Sequence, residues 1–150
     1  MRVVIQRVRK AQVTIEENTR EQIGQGILVL LGIEMADVQA DVDWLINKVL
    51  NLRIFDDENG VMNKSLLEIK GELMIVSQFT LMAATKKGNR PSYIRAANHE
   101  HAIPLYESFV EKAKTLLDSK VATGSFGAMM QVSLENDGPV TILMDSKNKE

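Results

Sequence analysis

Cysteine is absent from the 150 residues, which excludes disulfides, thiolate nucleophiles and cysteine-ligated metals at one stroke. A basic excess is missing too. Eighteen Lys and Arg face twenty Asp and Glu, for a formal net charge of −2. Such a balance gives no sign of nucleic-acid binding along the whole chain, although it leaves room for a local basic patch. Long apolar runs are also lacking. The longest in the first half is Ile27 to Leu31, far below the ~20 residues that span a bilayer as a helix. Met1-Arg2-Val3-Val4-Ile5 passes straight into strand-like sequence with no signal-peptide architecture. These absences lead to the expectation of a cytoplasmic protein with no membrane partner. Linkers, internal repeats and low-complexity segments are missing as well, so residues 1–150 are expected to form one domain.

What is present is an alternation of strand and helix patterns. Residues 2–8 are rich in β-branched side chains, and Ala11, Val13 and Ile15 alternate with polar residues, which predicts two strands. Glu16 to Gln25 is polar and reads as a hairpin connection. Ile27 to Ile33 reads as a strand buried on both faces. Asp37 is placed to cap a helix whose stripe is Val38, Val42, Leu45, Val49 and Leu52. Arg53-Ile54-Phe55 is a short strand candidate, followed by a turn at Asp56 to Gly60. Glu72 to Phe79 reads as another strand. Ala83 to Asn98 has no period and reads as a long loop. A second helix carries Ala102, Leu105, Phe109, Ala113 and Leu116, and its regular part is expected to begin close to Pro104. Two last strands, about 128–134 and 140–144, are joined by a turn over Glu135 to Pro139, and residues 146–150 read as frayed. The fold class expected is mixed, layered α/β, with mostly antiparallel sheets covered by two main helices.

Several clusters carry chemistry. Ser77-Gln78-Phe79-Thr80 sits where a buried strand runs out. Hydroxyls, an amide and free N–H groups there could orient a water or hold an oxyanion, or could simply end the strand. Thr80 as a nucleophile needs a base within reach, and none lies nearby in sequence. A Gly-x-Ser-x-Gly elbow is absent. His99 and His101 are the only histidines. Two residues apart on a helix, they point to different faces and form no recognisable ligand set with Glu100 and Glu107, so both read as exposed residues near a helix start and no metal is expected. Gly24-x-Gly26 precedes a strand rather than a helix and fails the dinucleotide pattern. Lys86-Lys87-Gly88-Asn89-Arg90-Pro91 either grips phosphates or is a solvated loop. Asn136-Asp137-Gly138-Pro139 reads as a turn.

Taken together, two of these segments resemble the signature motifs of D-aminoacyl-tRNA deacylases: Ser77-Gln78-Phe79-Thr80-Leu81 and Asn136-Asp137-Gly138-Pro139-Val140-Thr141. Gln6-Arg7-Val8, Lys87 to Ser92 and Gly124-x-Phe126-Gly127-Ala128-x-Met130 match as well, so the resemblance runs from Met1 to about Leu143. It implies hydrolysis of the ester of D-aminoacyl-tRNA, and of mischarged glycyl-tRNA, without a cofactor. It also implies a homodimer with sites at the interface. A cis Gly138–Pro139 pair from one chain, braced by Arg7, would face Ser77, Gln78, Phe79 and Thr80 of the other and exclude L substrates. Phe126, Ala128 and Met130 would line an adenosine pocket, and Lys86, Lys87 and Arg90 would touch tRNA phosphate. Two rival readings remain: an esterase with Thr80 as nucleophile, and a non-catalytic RNA-binding module built on the loop from Lys86 to Arg95.

Overall fold

A computed structural model describes residues 1–16 and 19–150. The first strand, β1 (Arg2–Ile15), is continuous where two strands were expected. Met1, Val3 and Ile5 enter one core cluster, while Val8, Ala11 and Val13 enter another. The change of face follows two register irregularities, between Gln6 and Val8 and between Val8 and Lys10. Bulges re-aim side chains and sharpen the local twist without ending the strand.

Residues 19–25, read as part of a connection, instead contain β2 (Thr19–Ile23), antiparallel to the second half of β1. Glu17 and Asn18 of that expected connection lie outside the described residues. β3 (Gly26–Gly32) pairs antiparallel with the first half of β1. Alternate β3 residues enter opposite clusters, Ile27, Val29 and Leu31 on one face and Leu28 on the other, as a strand buried on both sides requires. Gly26 is demanded by packing: a Cβ there would lie 1.8 Å from the Glu72 carbonyl oxygen.

Helix α1 (Gln39–Asn51) follows, and its start corrects the expectation for Asp37. Val38 stands at the cap position, and the Asp41 carboxylate accepts from the Val38 N–H at 2.8 Å. Asp37 turns inward, fully buried, where it pairs with the N-terminal ammonium and accepts from the Glu34 N–H at 2.8 Å. A buried ammonium left unpaired would be very costly, so the ion pair takes the carboxylate away from the helix. The hairpin β4 (Phe55–Asp56) and β5 (Met62–Lys64) forms a separate two-stranded sheet around the turn at Asp57–Gly60. It begins two residues later than the strand predicted at Arg53.

β6 (Glu72–Ser77) lies parallel to β3. Helix α2 (His99–Leu116) starts five residues before Pro104, not beside it. The Asn98 side chain accepts from the His101 N–H at 3.0 Å and fixes the start there. Pro104 is exposed, so the helix hydrogen bond its ring removes is lost on the solvent side. The short β7 (Val121–Thr123) had no counterpart in the sequence reading; three residues show no period, and only the parallel partner β6 makes them a strand. Finally, β8 (Met130–Asp145) runs along the whole of β1 where two strands and a turn were expected.

The result is a six-stranded mixed sheet, ordered β2-β1-β3-β6-β7 with β8 on the other edge of β1. Both helices cover one face. Leu45, Ile46, Leu50 and Phe109, each at most 2 % exposed, meet Ile5, Ile27 and Leu73 there. Burying each such side chain contributes about 1.5–3 kcal/mol. On the other face, Met74, Val76 and Ala122 pack with Val8, Val13 and Ile23, and Met130 and Val132 of β8 flank them.

The C-terminal segment read as frayed is tied down at its start. The Ser146 hydroxyl accepts from the N-terminal ammonium at 2.9 Å, and Lys147 Nζ donates to Asp41 Oδ2 at 2.7 Å. Burial alone would raise the Asp41 pKa. Hydrogen bonds from Lys147, Ser146 and the Val38 N–H outweigh it and lower the carboxyl to about 2. A carboxyl held below its unfolded value stabilises the fold above that value and loses its contribution as pH falls through the folded one, here about 2 kcal/mol between roughly pH 4 and 2. Asp41→Asn should therefore flatten the stability curve in that window. Urea midpoints measured at intervals from pH 5 to 2 check this, and parallel curves for the two proteins would contradict it.

Candidate functional site

β6 ends because the chain turns away after Ser77. The Gln78 N–H still donates to the Leu31 carbonyl at 2.8 Å, but Gln78 already leaves strand geometry, with φ −146° and ψ 80°. A single 3₁₀ turn, Phe79–Met82, follows. Arg2 pins that turn to the sheet: Nη1 donates to the Leu81 carbonyl at 2.7 Å while Nε and Nη2 hold Asp145.

Beside this strand end lies a cavity of about 790 Å³. Ser77, Gln78 and Phe79 line it, together with Leu31 at the end of β3 and Ile33 just beyond that strand. Phe126, Ala128 and Met130 line it too, so two separately predicted groups of residues meet around one space. Thr80 does not line it. Its hydroxyl accepts from the Gln78 side-chain amide, and no carboxylate or imidazole bonds to it among the described residues.

The cavity wall is braced by aromatic rings in edge-to-face contact. Tyr106, buried on α2, donates its hydroxyl to the Ile75 carbonyl of β6 at 3.1 Å, and burial pushes its pKa up to about 12. The Phe126 ring meets Tyr106 edge-on at 5.6 Å, and His99 meets Phe126 in the same way at 5.6 Å. Tyr93, also in the lining, sits edge-on to Phe79 at 5.1 Å. Among the described residues, no Asp, Glu, Lys or Arg lines the cavity.

Several residues here were not anticipated. Tyr93, Asn98 and His99 line the cavity. Their segment was read as a long loop, and length without periodicity was the only signal it offered. His99 is exposed at a helix start, as expected, yet also faces the cavity. His101 differs from expectation: it is half-buried, with Nε2 2.9 Å from the Asp37 carbonyl oxygen. Among the described residues, no group of three or more His, Asp or Glu is placed to hold a metal ion.

Other predicted residues lie elsewhere. Lys86, Lys87 and Arg90 are exposed, outside the cavity lining, and pair with no carboxylate among the described residues. Gly138 and Pro139 are also exposed and outside the lining, joined by a cis peptide bond. They belong to a bulge. Gln6 pairs with Thr141 and Val8 with Asn136, so Asp137, Gly138, Pro139 and Val140 all stand opposite Arg7. The nearly buried Arg7 donates through Nε to the Asp137 carbonyl at 3.1 Å and through Nη1 to the Ile54 carbonyl at 2.6 Å. Asn136 Nδ2 closes the bulge by donating to the carbonyls of Arg7 and Val140 at 3.0 and 3.1 Å.

Comparison with known proteins adds to this geometry. The family described as D-Tyr-tRNA(Tyr) deacylase matches residues 4–145. A protein named D-aminoacyl-tRNA deacylase from Bacteroides thetaiotaomicron is 60% identical over 150 residues, covering all of both chains. Its namesake from Phocaeicola vulgatus is 61% identical over the same span. Among solved structures, the c-Myc DNA Unwinding Element Binding Protein is 42% identical with a TM-score of 0.91, covering 97% of this chain and 98% of its own. A probable eukaryotic D-amino acid tRNA deacylase is 17% identical with a TM-score of 0.83, covering 95% of this chain and 97% of its own, and shares the fold.

Gly138 has a φ of +121°, and a Cβ there would lie 2.8 Å from Val140 Cγ2 and 3.1 Å from Arg7 Nη2. Gly138→Ala should cost roughly 1–3 kcal/mol through backbone strain and displacement of Arg7. Denaturant unfolding checks it, and a variant as stable as the parent would show that the bulge tolerates a side chain.

Proposed function

The chain belongs to the D-Tyr-tRNA(Tyr) deacylase family, and from that premise we propose that it hydrolyses the ester bond of D-aminoacyl-tRNA, and of glycyl-tRNA, releasing the amino acid and tRNA. The observation that carries this reading is the cavity at the end of β6, lined by Ser77, Gln78 and Phe79 together with Phe126, Ala128 and Met130. Its apolar walls and size suit the terminal nucleoside with its aminoacyl group.

The chemistry asked of the site is modest. An aminoacyl ester is already activated, so an oriented water and hydrogen bonds to the developing oxyanion suffice. Water adds to the ester carbonyl, the ribose oxygen leaves, and the water's protons end on that oxygen and on the amino-acid carboxyl or solvent. The first N–H groups of a helical turn have no partner inside it, so the backbone at Phe79 and Thr80 offers donors beside the cavity. The neighbouring 2′-hydroxyl of the tRNA serves as the proton carrier in this reading, since no side-chain base bonds to Thr80 among the described residues.

Chirality is assigned to Gly138 and Pro139. They stand exposed and away from their own chain's cavity, which fits delivery to the cavity of a second copy in a homodimer. Backbone atoms held by Arg7 can refuse an L side chain by steric clash. Losing one apolar contact discriminates by only about 1–3 kcal/mol, whereas a rigid clash excludes more strongly. Glycine, lacking a side chain, passes the same filter. Lys86, Lys87 and Arg90 would contact tRNA phosphate, and the working compartment is the cytoplasm, where charged tRNA is used.

The direct test is deacylation of matched D- and L-tyrosyl-tRNA by the purified protein. Rapid cleavage of the D form with the L form spared is expected; equal rates would remove the chiral assignment, and tRNA binding without cleavage would favour an RNA-binding module. Light scattering should return twice the chain mass, and a fully active monomer would end the shared-site reading. Thr80→Ala should slow hydrolysis without abolishing it, by no more than the order of 10²–10³ seen for loss of one oxyanion donor. A covalent acyl-threonine in the mass spectrum would instead make Thr80 the nucleophile.

A further inference from the structure

The turn that follows β6 is seated on the sheet by one row of residues. Gly32, Arg2 and Asp145 are direct cross-strand partners at the ends of β3, β1 and β8. Residues opposite one another in a ladder share a face. Gly32 leaves its place on that face empty: a Cβ there would lie 2.9 Å from Leu81 Cβ and 3.0 Å from the Gln78 carbonyl oxygen. The turn Phe79–Met82 fills that place, with Met82 buried. Arg2 then reaches out from the middle of the row to both sides. Nη1 donates to the Leu81 carbonyl at 2.7 Å, while Nε and Nη2 donate to Asp145 Oδ2 at 3.1 and 2.9 Å. Asp145 is itself fixed, since its Oδ1 accepts from the Lys147 N–H at 2.9 Å.

What Arg2 holds is the far end of the short backbone stretch beside the cavity. The Gln78 N–H anchors the entry of that stretch on Leu31, the Leu81 N–H is spent on Gln78, and the Ala83 N–H is spent on Thr80. Between them, the N–H groups of Phe79 and Thr80 bond no acceptor among the described residues. A donor to a developing oxyanion is effective only when it is aimed before the reaction begins. The guanidinium is planar with its donors at fixed angles, so it fixes the direction of the carbonyl it holds as well as its distance. Arg2 lines no part of the cavity.

We propose that Arg2 is a positioning residue for the hydrolysis: by gripping the Leu81 carbonyl it sets the aim of the Phe79 and Thr80 N–H groups, and Asp145 sets Arg2. This role rests on the reading of those two N–H groups as the oxyanion donors. Because Arg2 stands outside the lining, its effect falls on the rate of the chemical step and not on affinity for the terminal nucleoside. Without the grip, the turn is still held by the Gln78 N–H and by its seat over Gly32. Its donors then lose aim without being lost, a smaller effect than deleting one of them.

Single-turnover hydrolysis of D-tyrosyl-tRNA by the full chain tests it, read as the rate constant at saturating enzyme and the enzyme concentration that gives half of it. Arg2→Met keeps an apolar stem and removes the fork. Its rate constant should fall about tenfold, below the order of 10² that an ångström of misplacement can cost, while half-saturation stays within about twofold of wild type. Arg2→Lys keeps a cation beside Asp145 but cannot hold both partners in a fixed fork, so its rate constant should fall in the same direction. It decides the matter if circular dichroism shows Arg2→Met unfolded. A folded Arg2→Met, or Arg2→Lys, with the wild-type rate constant would overturn the proposal, as would a loss confined to half-saturation. Wild type that leaves D-tyrosyl-tRNA intact would remove the deacylase reading and the role of Arg2 with it, whereas an active wild type matched by its Arg2 variants would remove the role of Arg2 alone.

Discussion

Arg7 lies inside the sheet, on the strand that pairs with three others, and only 7 % of it reaches solvent. A guanidinium so placed costs several kcal/mol unless its donors are satisfied. Its partners come from two distant parts of the chain: the Ile54 carbonyl ahead of β4, and the carbonyl and carboxylate of Asp137 in β8. Satisfying one cation thus ties the small hairpin sheet to the bulge that holds Gly138 and Pro139. Because four residues of β8 must stand opposite this one residue of β1, the ladder on either side resumes with its register reset. The exposed Gly138–Pro139 peptide is held by that arrangement and by the Asn136 side chain.

A second constraint places the cavity. β3 and β6 are parallel neighbours buried on both faces, and they end side by side, the Gln78 N–H making the last bond across to Leu31. Past that point no further sheet fills the space among the described residues. The loop that bridges back to Glu34 through Ala96, and the segment at Phe126, enclose it instead. The crevice beyond the carboxyl ends of parallel strands is a general place for ligands, because backbone groups there are left without ladder partners. The Tyr106 hydroxyl, bonded to the Ile75 carbonyl, carries this rigidity outward through Phe126 to His99.

Much of this was legible in the residues alone. Both helices follow from apolar stripes at helical spacing, and the double burial of β3 follows from its unbroken apolar run. The strand-end position of Ser77 to Thr80 is visible too, since Glu72 to Val76 has strand composition and the polar cluster follows directly. Motif resemblance drew Arg7 out of an ordinary-looking first strand and the Gly138–Pro139 pair out of a segment that looked like an ordinary turn. Where local reading failed, the reason was a partner distant in sequence. Asp37 has good capping chemistry, but a buried ammonium claims its carboxylate. Val121–Thr123 has no pattern of its own and becomes a strand only against β6.

The sequence by itself determined the fold class, the two helices, the strand that delivers Ser77, and the family to which the motifs belong. These depend on periodicity and short patterns, which a chain carries locally. Only the tertiary structure decided that β1 and β8 each run unbroken through their irregularities, that Phe126 and Ser77 share one cavity, and that Thr80 turns to Gln78 instead of facing it. It also decided that His99 faces that cavity while His101 is spent on a backbone carbonyl. Each of those outcomes depends on which groups become buried together. Burial sets hydrogen-bond partners and charge compensation between residues scores of positions apart, and no local pattern records that choice.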